Sequence, residues 1–268
     1  MNKRTNLPFF KFSATGNDFI LIDNRAGIFT GEEVEFFQQI CQRRVSVGAD
    51  GVLLFEDSPE YDFQLRYFNA DGSQTECGNG ARSAAWFAWE NGLADRTMKF
   101  RFDDAVYEAE VTGNSVKLKL PPARDVRDVV GILNEKDLQW GGFVNTGVPH
   151  LVLFGRAVDE YDVQSLGQKY RHHVQFQPAG ANVDFVEIIS ANQIKMRTYE
   201  RGVEKETLSC GTGCVASAFI ANLKKATRFP TEVVTRGGIL RVDRDEKSGH
   251  LYLEGEVKLV YEGRLISP

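Results

Sequence analysis

The chain has no uninterrupted apolar run near the roughly 20 residues a membrane helix needs, so no membrane span is expected. Basic runs are missing as well. With 32 Lys and Arg against 37 Asp and Glu the formal net charge is −5, which leaves no cationic face for a nucleic-acid partner. Lys3 and Arg4 lead into no apolar signal core, so no export signal is expected. Only 4 cysteines occur in 268 residues, too few for a disulfide scaffold, and a reducing cytoplasm is the expected compartment. A close Cys-x-x-Cys pair and a Cys/His cluster are both absent, which argues against dithiol redox chemistry and against a zinc site. Low-complexity segments are absent too.

What is present is a globular composition, 42% hydrophobic and 26% charged, with enough chain for two domains of ordinary size. Short β-rich runs at 19–23, 51–55, 63–68 and 115–120 are followed by others at 143–147, 150–154, 183–188, 193–199, 239–243 and 250–261. The apolar spacing predicts a helix over 31–43, opened by Gly31, Glu32 and Glu33. The stretch PPARDVRD (121–128) reads as a linker. Domains are therefore expected at 1–122, joined by a C-terminal strand at about 257–268, and at 123–256.

The informative feature is a motif that occurs twice. ECGNGARSAAWFA (76–88) and SCGTGCVASAFIA (209–221) both run cysteine, glycine, small polar residue, glycine, then an apolar helix. Glycine is expected to supply turn flexibility there and to leave backbone N–H groups uncovered. A thiol at a helix N-terminus is expected to tend towards thiolate. The first helix should end at Asn91-Gly92. Asn17-Asp18-Phe19-Ile20 pairs in style with Asn182-Val183-Asp184-Phe185-Val186, and Tyr67 and Tyr199 end β-like runs ahead of Cys77 and Cys210. One half reads as a diverged copy of the other. Such halves are expected to meet across a pseudo-two-fold axis, with a thiol on each side of a small anionic ligand.

FFKFSATGNDF (9–19), FNADGSQTECGNGAR (68–82), GVPH (147–150), PAGANVDFV (178–186), YERGVEKETLSCGTG (199–213) and GGILRV (237–242) resemble, in order and over nearly the whole chain, the diaminopimelate epimerase family. The resemblance implies an α/β fold of two pseudo-symmetric domains, each a β-barrel-like sheet around a central helix. It implies a cytoplasmic homodimer that interconverts LL- and meso-diaminopimelate with no cofactor and no metal. Cys77 and Cys210 become the catalytic acid and base. Gly78, Asn79, Gly211 and Thr212 hold the reacting carboxylate, while Asn17, Asn69, Asn182, Glu200 and Arg201 recognise the substrate, chiefly its distal end. His150 and Glu200 tune the two thiols. Family members commonly read GNPH where this chain has Gly147-Val148-Pro149-His150, so an apolar group replaces a side-chain amide.

Plainer readings of the same residues stand beside these. Cys41 and Cys214 read as core, Trp86 and Trp89 as helix core or interface, and His150 equally as a hydrogen-bonded turn residue. Glu200-Arg201 also reads as a solvated ion pair, and Asn17 or Asn182 as a turn cap. Val148 keeps a two-thiol racemase of another amino acid open, and a non-catalytic binding or dithiol redox protein is the alternative from another class.

Overall fold

The computed structural model describes residues 6–129, 131–133 and 135–266; Lys3 and Arg4 lie outside them. Two compact units divide the described residues, the first formed by those up to 118 with those from 255 onward and the second by those between 119 and 254.

The first unit runs β1 (Leu7–Ala14), β2 (Asn17–Asp23), α1 (Val34–Cys41), β3 (Gly51–Glu56), β4 (Phe63–Asn69), α2 (Gly78–Glu90), β5 (Thr97–Phe102), β6 (Ala105–Thr112) and β7 (Ser115–Leu120). The second contains β8 (Arg124–Asp128), β9 (Leu138–Asn145), β10 (Pro149–Gly155), α3 (Val163–Arg171), β11 (Asn182–Ser190), β12 (Gln193–Glu200), β13 (Lys205–Thr207), α4 (Gly211–Leu223), β14 (Thr231–Thr235) and β15 (Gly238–Arg244). Strand β7 at its last two residues and strand β16 (Leu251–Glu256) both cross the division, and β17 (Lys258–Leu265) returns to the first unit.

The duplication is visible in the strand pairings. From β17 through β1, β2, β3, β4 and β5 to β6, successive pairs are antiparallel, antiparallel, parallel, antiparallel, parallel and antiparallel. The series β8, β9, β10, β11, β12, β14, β15 repeats that pattern pair for pair. Each parallel pair needs a crossover, which α1 and α2 supply in the first unit and α3 and α4 in the second.

Period-2 alternation sends each strand's side chains to two cores. Phe19 and Leu21 of β2 pack with Leu53, Phe55 and the alanines of α2, while Ile20 and Ile22 pack with Phe36, Phe37 and Ile40 of α1. Helix α2 is buried from Asn79 to Ala88 and α4 from Gly213 to Ala221. Strands of its unit touch α2 from several directions, and its small residues Ala81, Ala84, Ala85 and Ala88 let them approach. A helix apolar on one stripe could not sit in such a place.

Helix α3 gives a case where packing overrides propensity. Replacing a mid-helix glycine by alanine ordinarily gains about 0.5–1 kcal/mol. At Gly167, however, an added Cβ would lie 2.3 Å from Tyr199, a buried neighbour. Gly167→Ala should therefore destabilise by about 1–3 kcal/mol, read as a lowered urea midpoint; a raised midpoint would show that Tyr199 can move aside.

Several expectations are corrected here. The helix expected over 31–43 spans only Val34–Cys41, because the Glu33 carboxylate turns back to accept the backbone N–H groups of Thr30 and Gly31. Arg124–Asp128 of the expected linker is instead a strand paired with β9, its side chains exposed and Arg127 stacked 4.2 Å over the Phe143 ring. The expected match of Asn17 with Asn182 fails topologically, since Asn17 opens β2 whereas Asn182 opens β11, the counterpart of β3. Tyr67 and Tyr199 are not equivalent either: Tyr67 packs in the α2 core and Tyr199 in the α3 core. A slip of one residue along a strand reverses the face, and similar spelling cannot reveal it.

Candidate active site

In the first unit Cys77 is the N-cap of α2, with extended φ −143° and ψ 116°. Its carbonyl accepts the first helical bond from Ala81, so the N–H groups of Gly78, Asn79 and Gly80 precede the intrahelical ladder. Cys77 Sγ lies 3.7 Å from Asn17 Oδ1, which also accepts Asn79 Nδ2 at 3.2 Å. The Asn17 amide is oriented from behind, because its Nδ2 donates to Asp50 Oδ2 at 2.6 Å. Asn79 is oriented in turn by Arg82, a fully buried residue whose guanidinium donates to Asn79 Oδ1 and Thr15 Oγ1, both at 2.9 Å. Beside the cysteine, Glu76 accepts the Tyr107 hydroxyl at 2.8 Å, and burial raises both the Glu76 carboxyl and the Tyr107 phenol above their usual ranges.

The second unit has the same plan with different side chains. Cys210 is the N-cap of α4, φ −122° and ψ 111°, and its carbonyl accepts from Cys214. Its Sγ is 3.5 Å from Thr212 Oγ1, and Thr212 Oγ1 is 2.9 Å from His150 Nε2. His150 Nδ1 lies 2.7 Å from Asp184 Oδ2, with both residues fully buried. Asn182 Oδ1 accepts the Arg201 backbone N–H at 2.7 Å, and Thr146 caps the Thr212 carbonyl at 2.9 Å.

The expected drift towards thiolate is reversed at Cys210. Burial, reinforced by the charges of Glu200 and Asp184, pushes this thiol well above its usual value, against the opposing pull of Thr212 and the Gly213 amide. A helix dipole contributes about 0.3–2 kcal/mol, less than desolvation of a buried thiolate takes away. The expected turn role of glycine is also corrected. Gly78, Gly80, Gly211 and Gly213 all have ordinary negative φ, and what matters is space. A Cβ at Gly213 would come within 2.7 Å of Asp184 Oδ1, one at Gly80 within 3.0 Å of Leu53, and above Gly78 lies open space.

The remaining sequence candidates distribute as follows. Asn69 is the half-buried last residue of β4 and donates to Ser73 Oγ at 2.9 Å. Glu200 ends β12, and Arg201 is half-buried with Nη1 3.5 Å from the Ala179 carbonyl. His150 sits within β10, so the turn reading is replaced by a buried strand histidine. Cys41 is core, its thiol pushed up to about 12 by burial, and Cys214 is fully buried in α4. Among the described residues no group of three or more His, Cys, Asp and Glu could hold a metal. Sequence reading missed Asp50, Arg82, Asp184 and Thr198. The signal for Asp184 was a charge inside the apolar run VDFVEI, on the same strand face as Asn182.

A model of the family described as diaminopimelate epimerase matches residues 9–123 and 142–260. The chain is 41% identical to the diaminopimelate epimerase of Aquifex aeolicus (strain VF5), over 97% of this chain and 98% of that one. It is 43% identical to the diaminopimelate epimerase of Chlorobaculum tepidum, over 94% and 99% respectively. Among solved structures, a phenazine biosynthesis protein of the PhzF family from Bacillus anthracis is similar with a TM-score of 0.77 at 16% identity, covering 97% of this chain and 99% of that one. A probable proline racemase from Agrobacterium radiobacter K84 is similar with a TM-score of 0.67 at 13% identity, covering 97% and 92%. At such identities the likeness is one of fold.

Proposed function

The chain belongs to the diaminopimelate epimerase family, and from that premise we propose that it interconverts LL- and meso-diaminopimelate through an acid and a base supplied by Cys77 and Cys210. The observation that carries this reading is the repeated placement of a cysteine at the N-cap of a buried helix whose first amides precede the hydrogen-bond ladder.

Inversion at an α-carbon needs a base on one face and an acid on the other. The base is a thiolate that takes the α-proton. The C–H bonding pair moves into the carboxylate system, and the other cysteine's S–H proton is then delivered to the opposite face. Protons balance, and the two sulfurs end with their protonation exchanged. Without a cofactor the carbanion must be stabilised by the protein. A preorganised N–H donor is worth about 3–4 kcal/mol when aimed at developing charge, so the amides of Gly78, Asn79, Gly211 and Thr212 carry more of the load than the dipoles. Cys210, raised by burial, rests as the thiol and serves first as the acid. Glu200, Arg201, Asn69, Asn17 and Asn182 recognise the rest of the substrate, and His150 and Glu200 tune the thiols.

The reading places the protein in lysine and peptidoglycan precursor synthesis, as a cytoplasmic homodimer with no metal or cofactor. Light scattering on the purified protein tests the dimer. Val148 supports a second reading, a two-thiol racemase of another amino acid, because an apolar side chain precedes Pro149 and His150 where an amide is common.

Turnover in D2O tests the chemistry. Early product should carry deuterium at the inverted carbon while recovered substrate carries far less, since the arriving proton comes from a solvent-exchanged thiol. Equal early labelling of both pools would indicate one shared base. Activity should persist in EDTA and in carbonyl-trapping reagents.

A further inference from the structure

Asn182 settles where the His150 proton sits. Its oxygen is committed to the Arg201 backbone N–H, so its NH2 group is the end facing His150 Nε2, 3.4 Å away. A ring nitrogen approached by an NH2 group is an acceptor. The proton therefore belongs on Nδ1, beside Asp184 Oδ2. Asp184 is placed to receive that proton's hydrogen bond at Oδ2, while its Oδ1 takes the Thr198 hydroxyl at 2.8 Å. Gly213 leaves the room that lets this carboxylate rest against the first turn of α4.

With Nε2 an acceptor, the Thr212 hydroxyl donates to it, and the lone pairs of Thr212 Oγ1 are left for the Cys210 S–H. We propose that Thr212 and His150 form a proton relay for Cys210, and that Asp184 is the positioning residue that fixes its direction. The relay rests on the two-thiol reading above. In the step that makes Cys210 a base, its S–H proton passes to Thr212 Oγ1 as the Thr212 proton passes to His150 Nε2. Sulfur keeps the bonding pair and becomes thiolate, while His150 becomes imidazolium. Asp184 stays ionised and holds the Nδ1–H throughout. The reverse transfers restore the thiol. A buried thiol whose charged form is disfavoured thus gains a compensating cation one hydroxyl away.

Nitrogen-15 NMR of the imidazole rings in substrate-free protein reads the tautomer, with His150 assigned from the His150→Asn spectrum. Wild-type protein in alkaline buffer should show the Nδ1–H form. Asp184→Asn places an NH2 group against Nδ1 and should reverse the tautomer, with kcat falling by about 10²–10⁴-fold and KM little changed. Should that variant not fold, Thr212→Val breaks the chain from its other end: it should lower kcat more than it raises KM while leaving the tautomer intact, and Thr212→Ser should recover most of the lost rate. A wild-type Nε2–H signal overturns the proposal, as does an Asp184→Asn protein with unchanged tautomer and kcat. If diaminopimelate is not turned over at all but the tautomer reverses as stated, the substrate assignment falls and the hydrogen-bond chain stands.

Discussion

Alanine at either Cys77 or Cys210 should reduce interconversion of LL- and meso-diaminopimelate by about 10²–10⁴-fold, the usual contribution of one positioned acid or base. The more discriminating result is stereochemical. An enzyme left with one thiol can still remove the α-proton from the face that thiol addresses and return a solvent proton to the same face. Cys77→Ala should therefore exchange the α-proton of one stereoisomer in D2O, and Cys210→Ala that of the other, with almost no inversion by either. Mass spectrometry of each recovered stereoisomer reads this directly. Exchange of the same isomer by both variants would leave only one cysteine at the reacting carbon. The amides proposed to stabilise the carbanion are backbone groups and survive both substitutions, so the residual exchange should lie well above the uncatalysed rate.

Diaminopimelate should be preferred to lysine by about 10²–10⁴-fold in kcat/KM, the value of one or two charge-assisted hydrogen bonds to a carboxylate that lysine lacks. In the proposed reading this depends on Arg201. A fully buried guanidinium would enforce the upper end of the range, because an analogue without the carboxylate would strand it unpaired. Arg201 is half-buried, however, so water relieves part of that penalty and the lower half of the range is expected. Arg201→Ala should cut activity on diaminopimelate and bring the two substrates to within about tenfold of each other, since the lost term is the carboxylate contact alone. Val148 removes at most one amide contact, about 1–3 kcal/mol, which predicts weaker binding rather than another substrate. A monocarboxylic amino acid racemised faster than diaminopimelate by the wild-type protein would reverse that ranking and make Val148 the first position to restore.

Local features of the chain were legible because local physics decides them. The helices at 78–90 and 211–223 follow from apolar runs interspersed with alanine, the best helix former, after an extended cysteine, and Gly92, at φ +65°, ends the first as its position suggested. Strands such as Phe63–Asn69 and Gln193–Glu200 follow from β-rich runs bounded by turn residues. The family could be named from its motifs, and with it the two-domain α/β fold. Strand β1, FFKFSA with its flanking residues, and helix α3, whose glycine and polar residues weaken its pattern, were not singled out.

What the sequence determined by itself was therefore the duplicated cysteine motif, the class of fold and the family. The tertiary structure decided how each side chain of the motif is used. Asp184 lies 34 residues from His150, and only the parallel pairing of β10 with β11 brings their carboxylate and ring within 2.7 Å. Asn17 and Asn182 share a spelling but belong to different strands of the repeat, one oriented by Asp50 and held towards a thiol, the other oriented by a backbone amide and held towards a histidine. The thiol at Cys210 likewise follows its burial rather than its helix terminus. The physical reason is common to all three: hydrogen-bond direction and desolvation depend on neighbours that strand register supplies, and register joins residues remote in the chain.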